Sequence, residues 1–318
     1  MSTLLVRATK WEALPSLPEG SGNFVCGTVK GDLILLGGIG WRDDIKQWRD
    51  TIWRFDATAT KWTVAGKLPS PVAYAAFGQT QEGIYFAGGS DGQKMHNTLH
   101  FLNHALELQP VANFAPPLCY SGSAIAEGQL FVVSGGADPN DLKTLTNLFY
   151  AVNLRTGKTT LLPEYPGGRL LVPGAATVGR SFYVFGGATW DATDIRAINT
   201  DSAFAYSLEE KQWKAVKSYP MPVRGLASCV LADRYILLGG GYGETFTDFA
   251  VLYDTETDSY LKTQPLPSKA MANFIVAGNF IYWVGGEHAM RQRSDAVHRI
   301  HWRTLLREAK AMKSNPTN

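Results

Sequence analysis

The sequence predicts an all-β protein folded as a closed ring of six blades, a six-bladed β-propeller. An apolar strand that ends in paired glycines recurs six times, with first glycines at Gly37, Gly88, Gly135, Gly186, Gly239 and Gly285. The steps between them are 51, 47, 51, 53 and 46 residues. A period near fifty with four short strands in each period is typical of a propeller blade. The two ends of the chain also carry complementary parts of one blade.

Each repeat shows the same internal order of signals. A tight turn such as "VKGD" or "VAGN" precedes the strand that ends in glycines, and a strand such as "TIWRFD" or "VLYDTE" follows a loop of variable length. An aromatic residue close to a Leu-Pro pair, for example Trp62 before "KLP", comes next. Glycine suits a sharp turn at a crowded axis because it has no Cβ. These signals together are typical of the kelch repeat and predict a kelch propeller.

The two chain ends are expected to close the ring. After Gly286 only one further strand, "DAVHRIHW", remains, so the last blade lacks its outer strand. The N-terminal "ATKWEALPSLP" repeats "ATKWTVAGKLP", so a strand at about residues 5–17 is expected to pair in that blade. Closure of the ring pairs the outer edge of the last blade, and an unpaired strand edge would favour aggregation. The prediction is one propeller over residues 1–303 and a C-terminal tail, a short helix or disordered appendage, over residues 304–318.

Composition argues against several classes of partner and site. The net charge is +2 and no dense run of Lys or Arg occurs, so neither a nucleic-acid nor a membrane partner is expected. The N-terminus has no secretory leader, which predicts a cytoplasmic protein, or a periplasmic one whose leader was removed. Three widely spaced cysteines predict buried free thiols. The six histidines lack the spacing of imidazole ligands, so no metal and no cofactor are expected.

The loops on one face of the ring are expected to carry the functional site, because rigid scaffolds place their chemistry on loops. Most residues predicted at the start of the innermost strands are small or apolar: Gly22, Tyr74, Tyr120, Leu171 and Met271. Two arginines, Arg169 and Arg224, differ from them. An arginine at the position of Arg224 is often structural in kelch rings, whereas the position of Arg169 has no such explanation. Loop aspartates such as Asp91 favour local turns.

Glu287 is the least expected residue in the pattern. It directly follows the last glycine pair, where the sequence alignment of the repeats places Ile39, Ser90, Ala137, Ala188 and Gly241. A lone carboxylate beside a crowded axial wall is partly desolvated, which favours proton transfer near neutral pH. Arg293, six residues later, can return over the mouth of the loop. A solvent-exposed Glu–Arg pair of little energetic value is the alternative.

The segment "GGEHAMRQRSDAV" resembles the motif "GE…RTDAV" of the sialic acid mutarotases, or N-acetylneuraminate epimerases, a six-bladed kelch family. Three further segments are similar to that family: "IKQWRDTIWRFD", "LPSPVAYAAF" and "IYFAGGSDG". In the better-known members the Glu–Arg segment lies in mid-chain, so the resemblance is to a circularly permuted type. Val72 stands where some members have an arginine, and the exported leader that is usual there is absent.

The resemblance implies a cofactor-independent isomerase that interconverts the anomers of N-acetylneuraminic acid or a related sugar acid. Glu287 would transfer the proton, His288 or a water would be the second member, and Arg293 would hold the substrate. An anionic sugar is thus the expected partner, and the sequence does not predict the oligomeric state. The further residues expected to bind substrate are Arg169, Arg224, Trp48, Tyr74, Asn273 and Asp91.

Two other interpretations remain open at this point. The chain could be a non-catalytic kelch module that holds a protein partner on the same face, since a fold does not determine a function. It could also bind glycans, or act on another sugar acid, and keep the arginines and aromatic residues without this base. A copper oxidase and an iron-dependent kelch protein are disfavoured because the histidine and acidic spacings that such metals need are missing.

Overall fold

A computed structural model describes residues 10–314, with side chains as far as Lys310. Six antiparallel sheets are arranged as blades of four strands each, with one additional short strand in the sheet of the last blade. The innermost strand of each blade contacts those of its two neighbours around a closed ring. The predicted six-bladed propeller is therefore confirmed. Residues 1–9, where part of the predicted N-terminal strand falls, lie outside the described residues.

The structure contains twenty-nine strands and two helices within the described residues. The first half of the chain forms β1 (Glu12–Leu14), β2 (Val25–Val29), β3 (Asp32–Leu36), β4 (Ile39–Arg42), β5 (Ile45–Trp48), β6 (Thr51–Asp56), β7 (Lys61–Lys67), β8 (Ala76–Gln79), β9 (Gly83–Ala87), β10 (Thr98–Asn103), β11 (Leu108–Asn113), β12 (Gly122–Ala126), β13 (Gln129–Val133), a 3-10 helix (Leu142–Thr144), β14 (Phe149–Asn153) and β15 (Thr159–Leu162). The second half forms β16 (Gly174–Val178), β17 (Ser181–Phe185), β18 (Ala188–Asp191), β19 (Arg196–Asn199), β20 (Ala203–Ser207), β21 (Gln212–Ala215), β22 (Ala227–Leu231), β23 (Tyr235–Gly239), β24 (Ala250–Asp254), β25 (Ser259–Lys262), β26 (Met271–Ala277), β27 (Phe280–Ala289), β28 (Gln292–Arg293), β29 (Val297–His301) and the helix α1 (Trp302–Ser314).

The strands of blades one to five run outwards from the axis in chain order, whereas blade six ends with the N-terminal strand. From the axis, blade one is β2-β3-β6-β7, blade two β8-β9-β10-β11, blade three β12-β13-β14-β15, blade four β16-β17-β20-β21, blade five β22-β23-β24-β25 and blade six β26-β27-β29-β1. In blades one, four and six the loop after the second strand contains a hairpin, formed by β4–β5, β18–β19 and β27–β28. We call the face that carries these hairpins the top face.

The N-terminal strand closes the ring, as predicted. Strand β1 pairs antiparallel with β29, with Glu12 opposite Arg299 and Leu14 opposite Val297. The Nε and Nη2 groups of Arg299 donate to the two carboxylate oxygens of Glu12 over 2.8 and 3.2 Å. Blade six is thus built from both ends of the chain, and the outer edge of β29 is covered.

The core consists of apolar layers between neighbouring blades. The second strand of each blade is buried on both faces, which explains why it reads as a continuous apolar run in the sequence. Between blades three and four, for example, Phe131 and Phe149 pack against Phe182 and Tyr206. Full burial of one such side chain stabilises the fold by roughly 1.5–3 kcal/mol. This rigid stack fixes the positions at which the top-face loops begin.

The C-terminal helix is part of this packing. It begins at Trp302, and Leu305, Leu306 and Ala309 are buried in the same apolar cluster as Leu261 of blade five. The segment predicted as a tail therefore contributes a helix to the core, while the domain boundary at residue 303 stays a prediction. Within residues 10–314 no helix is long and apolar enough to cross a membrane.

Two glycines in blade one allow the cost of backbone strain to be compared with the cost of a steric overlap. Gly37 and Gly31 both have positive φ, +67° and +89°, but a Cβ on Gly37 would overlap the carbonyl oxygen of Val72, whereas one on Gly31 would meet open space. We expect Gly31→Ala to lower the free energy of unfolding by about 1–2 kcal/mol. Gly37→Ala should lower it by about 3 kcal/mol or more. Urea unfolding measures both, and equal losses would contradict a packing requirement at Gly37.

Candidate functional site

Glu287 and Arg293 form a buried ion pair where blade six reaches the top face. They lie opposite each other in β27 and β28, and Nη1 of Arg293 is 2.8 Å from Oε1 of Glu287. Only 5% of the Arg293 side chain and 20% of the Glu287 side chain are exposed. The N–H groups on Nη1 do not point at the carboxylate, so this contact lacks hydrogen-bond geometry. The carboxylate is therefore held electrostatically and keeps acceptor positions for a ligand.

Two glycines of the loop between β1 and β2 make room for Arg293. A Cβ on Gly22 would lie 3.1 Å from Cδ and 3.3 Å from Nε of Arg293, and a Cβ on Gly20 would overlap its carbonyl oxygen. Neither glycine has a positive φ, so both are required here for space rather than for backbone conformation. The ion pair thus depends on a loop from the other end of the chain.

The backbone pairing corrects the alignment of the repeats in blades three and five. The left-handed pairs that end the second strands are Gly37-Gly38, Gly88-Gly89, Ser134-Gly135, Gly186-Gly187, Gly240-Gly241 and Gly285-Gly286. The sequence alignment was shifted because serine replaces the first glycine in blade three and because blade five has three consecutive glycines. The true equivalents of Glu287 are Ile39, Ser90, Gly136, Ala188 and Tyr242. Glu287 remains the single carboxylate, but Tyr242 is neither small nor apolar.

The hairpin of blade one brings a lysine to the same region. Lys46 lies opposite Trp41, and Trp48 lies two residues further along β5, so both Lys46 and Trp48 project to the same side of the hairpin. The Nζ atom of Lys46 lies 4.4 Å from the ring centroid of Trp48 and 4.9 Å from that of Tyr74. These contacts hold the ammonium group over two aromatic faces.

The charged groups that act on Lys46 indicate that it lies near the Glu287–Arg293 ion pair. Burial lowers the pKa of Lys46 to about 8, and the charge of Arg293 lowers this pKa further, whereas Glu287 and the Cys119 thiol raise it. Lys46 is half-buried and forms no ion pair with a carboxylate of the described residues. It was absent from the residues predicted for the site. Its two-residue spacing from Trp48 in "IKQW" is the signal that could have identified it.

Tyr74 and Tyr120 complete an aromatic wall on the top face. They lie two residues before the innermost strands of blades two and three, with φ of +61° and +63°, and their ring centroids are 4.4 Å apart. The hydroxyl of Tyr120 donates to the carbonyl oxygen of Pro139 over 2.8 Å. Burial raises the pKa of Tyr74, and the charges of Arg293 and Glu287 act on it in opposite directions. Tyr74 therefore lies within electrostatic range of the ion pair.

Arg224 approaches Glu287 from blade five. Its Nη1 group donates to Oδ1 of Asn199 over 2.8 Å, and its guanidinium lies 4.4 Å from the ring centroid of Tyr242. Burial lowers the pKa of Arg224, while Tyr242 and Glu287 raise it. Neutral groups therefore orient this cation, and no carboxylate within residues 10–314 pairs with it.

Two of the predicted residues, Arg169 and His288, are not part of this group. Arg169 is exposed and shares a cavity of about 360 Å³ with Trp190 on the adjoining blades three and four. His288 is exposed and follows Glu287 directly in β27, at an irregularity in the pairing of β27 with β28. The structure does not bring either residue to the ion pair.

Asp91 and Asn273 occupy other surroundings. The Oδ1 atom of Asp91 accepts the backbone N–H groups of Gln93 and Lys94, each over 2.9 Å, which closes a local turn. Asn273 lines the axial channel, a cavity of about 450 Å³ formed by the six innermost strands, and none of the residues lining that channel is charged. The charged groups are thus concentrated at the top of the axis. In the described part of the chain, no three His, Cys, Asp or Glu side chains are placed to hold a metal ion.

The cysteines are free thiols. Cys26 and Cys119 are buried and Cys229 is half-buried, and both Cys26 and Cys229 line the axial channel. Burial raises the pKa of Cys26 and of Cys119 to about 12 in each case. Neither of these two thiols is a nucleophile near neutral pH, since the thiolate is the reactive form.

Comparison with known proteins identifies kelch-like relatives at low identity. The chain is 24% identical over 305 residues to the Kelch-like protein terF of Aspergillus terreus, covering 87% of this chain and 64% of that protein. It is 22% identical over 214 residues to Kelch-like protein 40 of Xenopus laevis, covering 65% of this chain and 33% of that protein. Kelch-like protein 34 of Homo sapiens is 22% identical over 229 residues, 70% of this chain and 34% of that protein. The chain therefore spans between one third and two thirds of these relatives. No family model matches it.

Proposed function

The chain is a kelch-repeat β-propeller with distant homology to the kelch-like proteins, and we propose that its top face interconverts the anomers of a sugar acid. The substrate class we propose is N-acetylneuraminic acid and close relatives. The observation that carries the proposal is Glu287, the one carboxylate among six equivalent positions, held by the buried Arg293. Glu287 pairs in register with Met271, which lines the axial channel, so this carboxylate lies at the channel mouth.

The reaction requires only proton transfers. The carboxylate of Glu287 takes the proton of the anomeric hydroxyl, a carbonyl forms at the anomeric carbon, and the electron pair of the breaking ring C–O bond goes to the ring oxygen. An acid protonates that oxygen, the open chain rotates, and the same steps in reverse close the ring on the other face. General acid–base groups are sufficient for this chemistry.

Lys46 is the side chain we propose as the acid. Its ammonium group lies over Trp48 and Tyr74, within electrostatic range of Glu287. A pKa of about 8 leaves Lys46 protonated at neutral pH yet a stronger acid than an ordinary lysine. Arg293 then acts as a positioning residue that holds Glu287.

Arg224 suits the carboxylate that a sialic acid carries at its anomeric carbon. Its guanidinium rests on Asn199 and Tyr242, so its charge is oriented but not neutralised by a neighbouring acid of the described residues. A planar guanidinium can bind both oxygens of a carboxylate. Trp48 and Tyr74 supply flat surfaces against which a sugar ring can pack.

The direct test follows the approach to equilibrium of one anomer of N-acetylneuraminic acid by NMR. We expect the protein at micromolar concentration to accelerate equilibration above the buffer-only rate. A rate equal to that of buffer alone would remove the proposed activity on this sugar.

The dependence on pH tests the assignment of Lys46. The pKa of Lys46 is lowered to about 8, so the donating ammonium form is present below that pH and lost above it. We expect the catalysed rate, after subtraction of the buffer rate, to fall as pH rises through about 8. The charged and titratable groups acting on Lys46 are Glu287, Arg293 and the Cys119 thiol, whose pKa of about 12 places its titration far above this range.

Lys46→Met is the matched variant for this profile. It should lower the catalysed rate by at least about tenfold and remove the fall near pH 8. If Lys46→Met kept both the rate and the fall, another group would be the acid.

A binding protein without catalysis is the second candidate. Three top-face hairpins carry exposed apolar side chains, with 65% of Ile45, 74% of Ile195 and 82% of Met290 exposed, and such groups favour contact with a macromolecule. This candidate predicts that the top face binds its partner equally well in the wild type and in Glu287→Gln, and that no sugar is turned over.

A further inference from the structure

A second cavity lies beside the ion pair, between blades six and one. It has a volume of about 430 Å³, and we call it the cleft. The residues that matter for its chemistry are Glu19, Trp41, Trp48, Arg49, Asp50 and Arg293. Its volume is within the range of ligand pockets, roughly 300–1,000 Å³. Arg293 and Trp48 belong both to the cleft and to the group around Glu287, so the two spaces adjoin.

Three residues that line the cleft carry buried hydrogen-bond donors without acceptors. The Nε1 atom of Trp41, Nε of Arg49, and Nε and Nη1 of Arg293 are buried, and none has a hydrogen-bond partner within residues 10–314. Arg293 is the most enclosed of these side chains, at 5% exposure. Buried polar groups in proteins are almost always paired, and unpaired ones require an explanation. Because all four atoms are donors, their complement is a group rich in acceptor oxygens.

The buried arginines of the cleft are already paired with carboxylates. Arg49 forms an ion pair with Glu19 and also donates to the carbonyl oxygen of Gly20 over 3.3 Å. Arg293 is paired with Glu287 over 2.8 Å. Asp50 is paired with Lys67 over 3.3 Å. Arg42 also lines the cleft, but it is exposed. The buried donors belong to groups that are neutral or already paired, which favours a neutral acceptor such as a hydroxyl or an amide carbonyl over a second anion.

We propose that the cleft is a subsite for the neutral, acceptor-bearing extension of the sugar acid, either an acyl-amide carbonyl or a polyol chain. The inference rests on the proposed function, since it places the reacting ring at Glu287 and the extension on the far side of Arg293. The subsite would select among sugar acids by what they carry away from the anomeric carbon. A substrate that lacks the matching acceptor leaves these N–H donors unpaired, so it binds more weakly.

The indole N–H of Trp41 reports occupancy directly. The chain has nine tryptophans, so a ¹⁵N correlation spectrum has nine indole cross-peaks, and Trp41→Phe identifies the one from Trp41. We expect this peak to move on saturation with N-acetylneuraminate. The peak of Trp213, whose Nε1 already donates to the carbonyl oxygen of Pro163 over 2.9 Å, should stay in place. A Trp41 peak that does not move at saturation overturns the proposal.

Calorimetric titration measures the contribution of the donor. Trp41→Phe keeps an aromatic ring and removes the N–H group, so it should weaken N-acetylneuraminate binding about three- to tenfold, while Trp213→Phe leaves the affinity unchanged. Two analogues distinguish the acceptors: one has a hydroxyl in place of the acyl amide, and one lacks the last two carbons of the polyol chain. If wild type and Trp41→Phe bind one of these analogues equally well, the group missing from that analogue is the one that Trp41 recognises. Equal binding of all three sugars by both proteins overturns the subsite.

The outcomes for the subsite and for the mutarotase are separable. A Trp41 peak that moves on binding, in wild type and in Glu287→Gln, supports the subsite even if the wild type fails to accelerate mutarotation. Acceleration by the wild type with an unmoved Trp41 peak supports the mutarotase and overturns the subsite. If N-acetylneuraminate does not bind, the neutral sugar N-acetylmannosamine at high concentration is the second probe. An unmoved Trp41 peak with both sugars overturns the proposal.

Discussion

Replacement of Glu287 by Gln is expected to lower the catalysed rate of N-acetylneuraminate mutarotation by at least about 100-fold, the usual contribution of a general base. The amide has nearly the same shape as the carboxylate but cannot take the proton of the anomeric hydroxyl. The measurement is the NMR equilibration rate after subtraction of the buffer rate. Because Gln also removes the negative charge beside Arg293, calorimetric titration of the sugar should accompany it.

Glu209→Gln is the matched control for this variant. Glu209 lies in the turn between β20 and β21 and is 74% exposed, with only a distant ion pair to Arg180 at 3.7 Å. We expect Glu209→Gln to keep the wild-type rate. A Glu287→Gln protein that also kept this rate would show that Glu287 is a structural partner of Arg293 and not the base.

Arg293→Met is expected to have the largest effect on stability. It leaves the carboxylate of Glu287, 20% exposed, without its cation. Removing one partner of a buried pair lowers the free energy of unfolding by about 3–5 kcal/mol, because the remaining charge stays desolvated. Urea unfolding followed by tryptophan fluorescence measures this loss. The double variant Glu287→Gln, Arg293→Met should recover part of it, since the unpaired charge is then gone.

Arg180→Met provides the comparison with an exposed pair. Arg180 lies 3.0 Å from Glu127, and both side chains are about half exposed. Such surface pairs contribute about 0–1 kcal/mol, so this variant should unfold almost as the wild type does. A loss for Arg293→Met no larger than that for Arg180→Met would mean that water reaches the Glu287 carboxylate freely.

The fold was predictable because a propeller repeats its signals. Six glycine-ended strands and the matching segments around Trp11 and Trp62 were enough to predict both the number of blades and the closure at β1. The exact register was harder to predict. Serine can adopt the left-handed conformation as a single residue, as Ser134 does with φ of +56°, so the glycine count misplaced blade three by one position.

The site was predictable only where sequence position determines geometry. Glu287 stood out because its repeat position is otherwise free of carboxylates, and the hairpin pairing places Arg293 opposite it. Lys46 and Trp41 come from another blade, so their approach to Arg293 depends on tertiary packing that no local pattern records. His288 shows the converse, since it directly follows Glu287 in the sequence but is exposed, at the irregularity where β27 pairs with β28. The roles predicted for these residues stay predictions until the variants are measured.

Blade six joins segments that are separated by almost the whole chain, since Glu12 bonds to Arg299 across 287 positions. The space for the Arg293 side chain is left by Gly20 and Gly22, near the opposite terminus. During synthesis the early segments leave the ribosome first and must wait for their partners, and so long a loop is entropically slow to close. The proposed reaction centre is thus among the last parts of the molecule to form, and an interrupted nascent chain would carry Lys46 and Trp48 of blade one without the proposed base, Glu287.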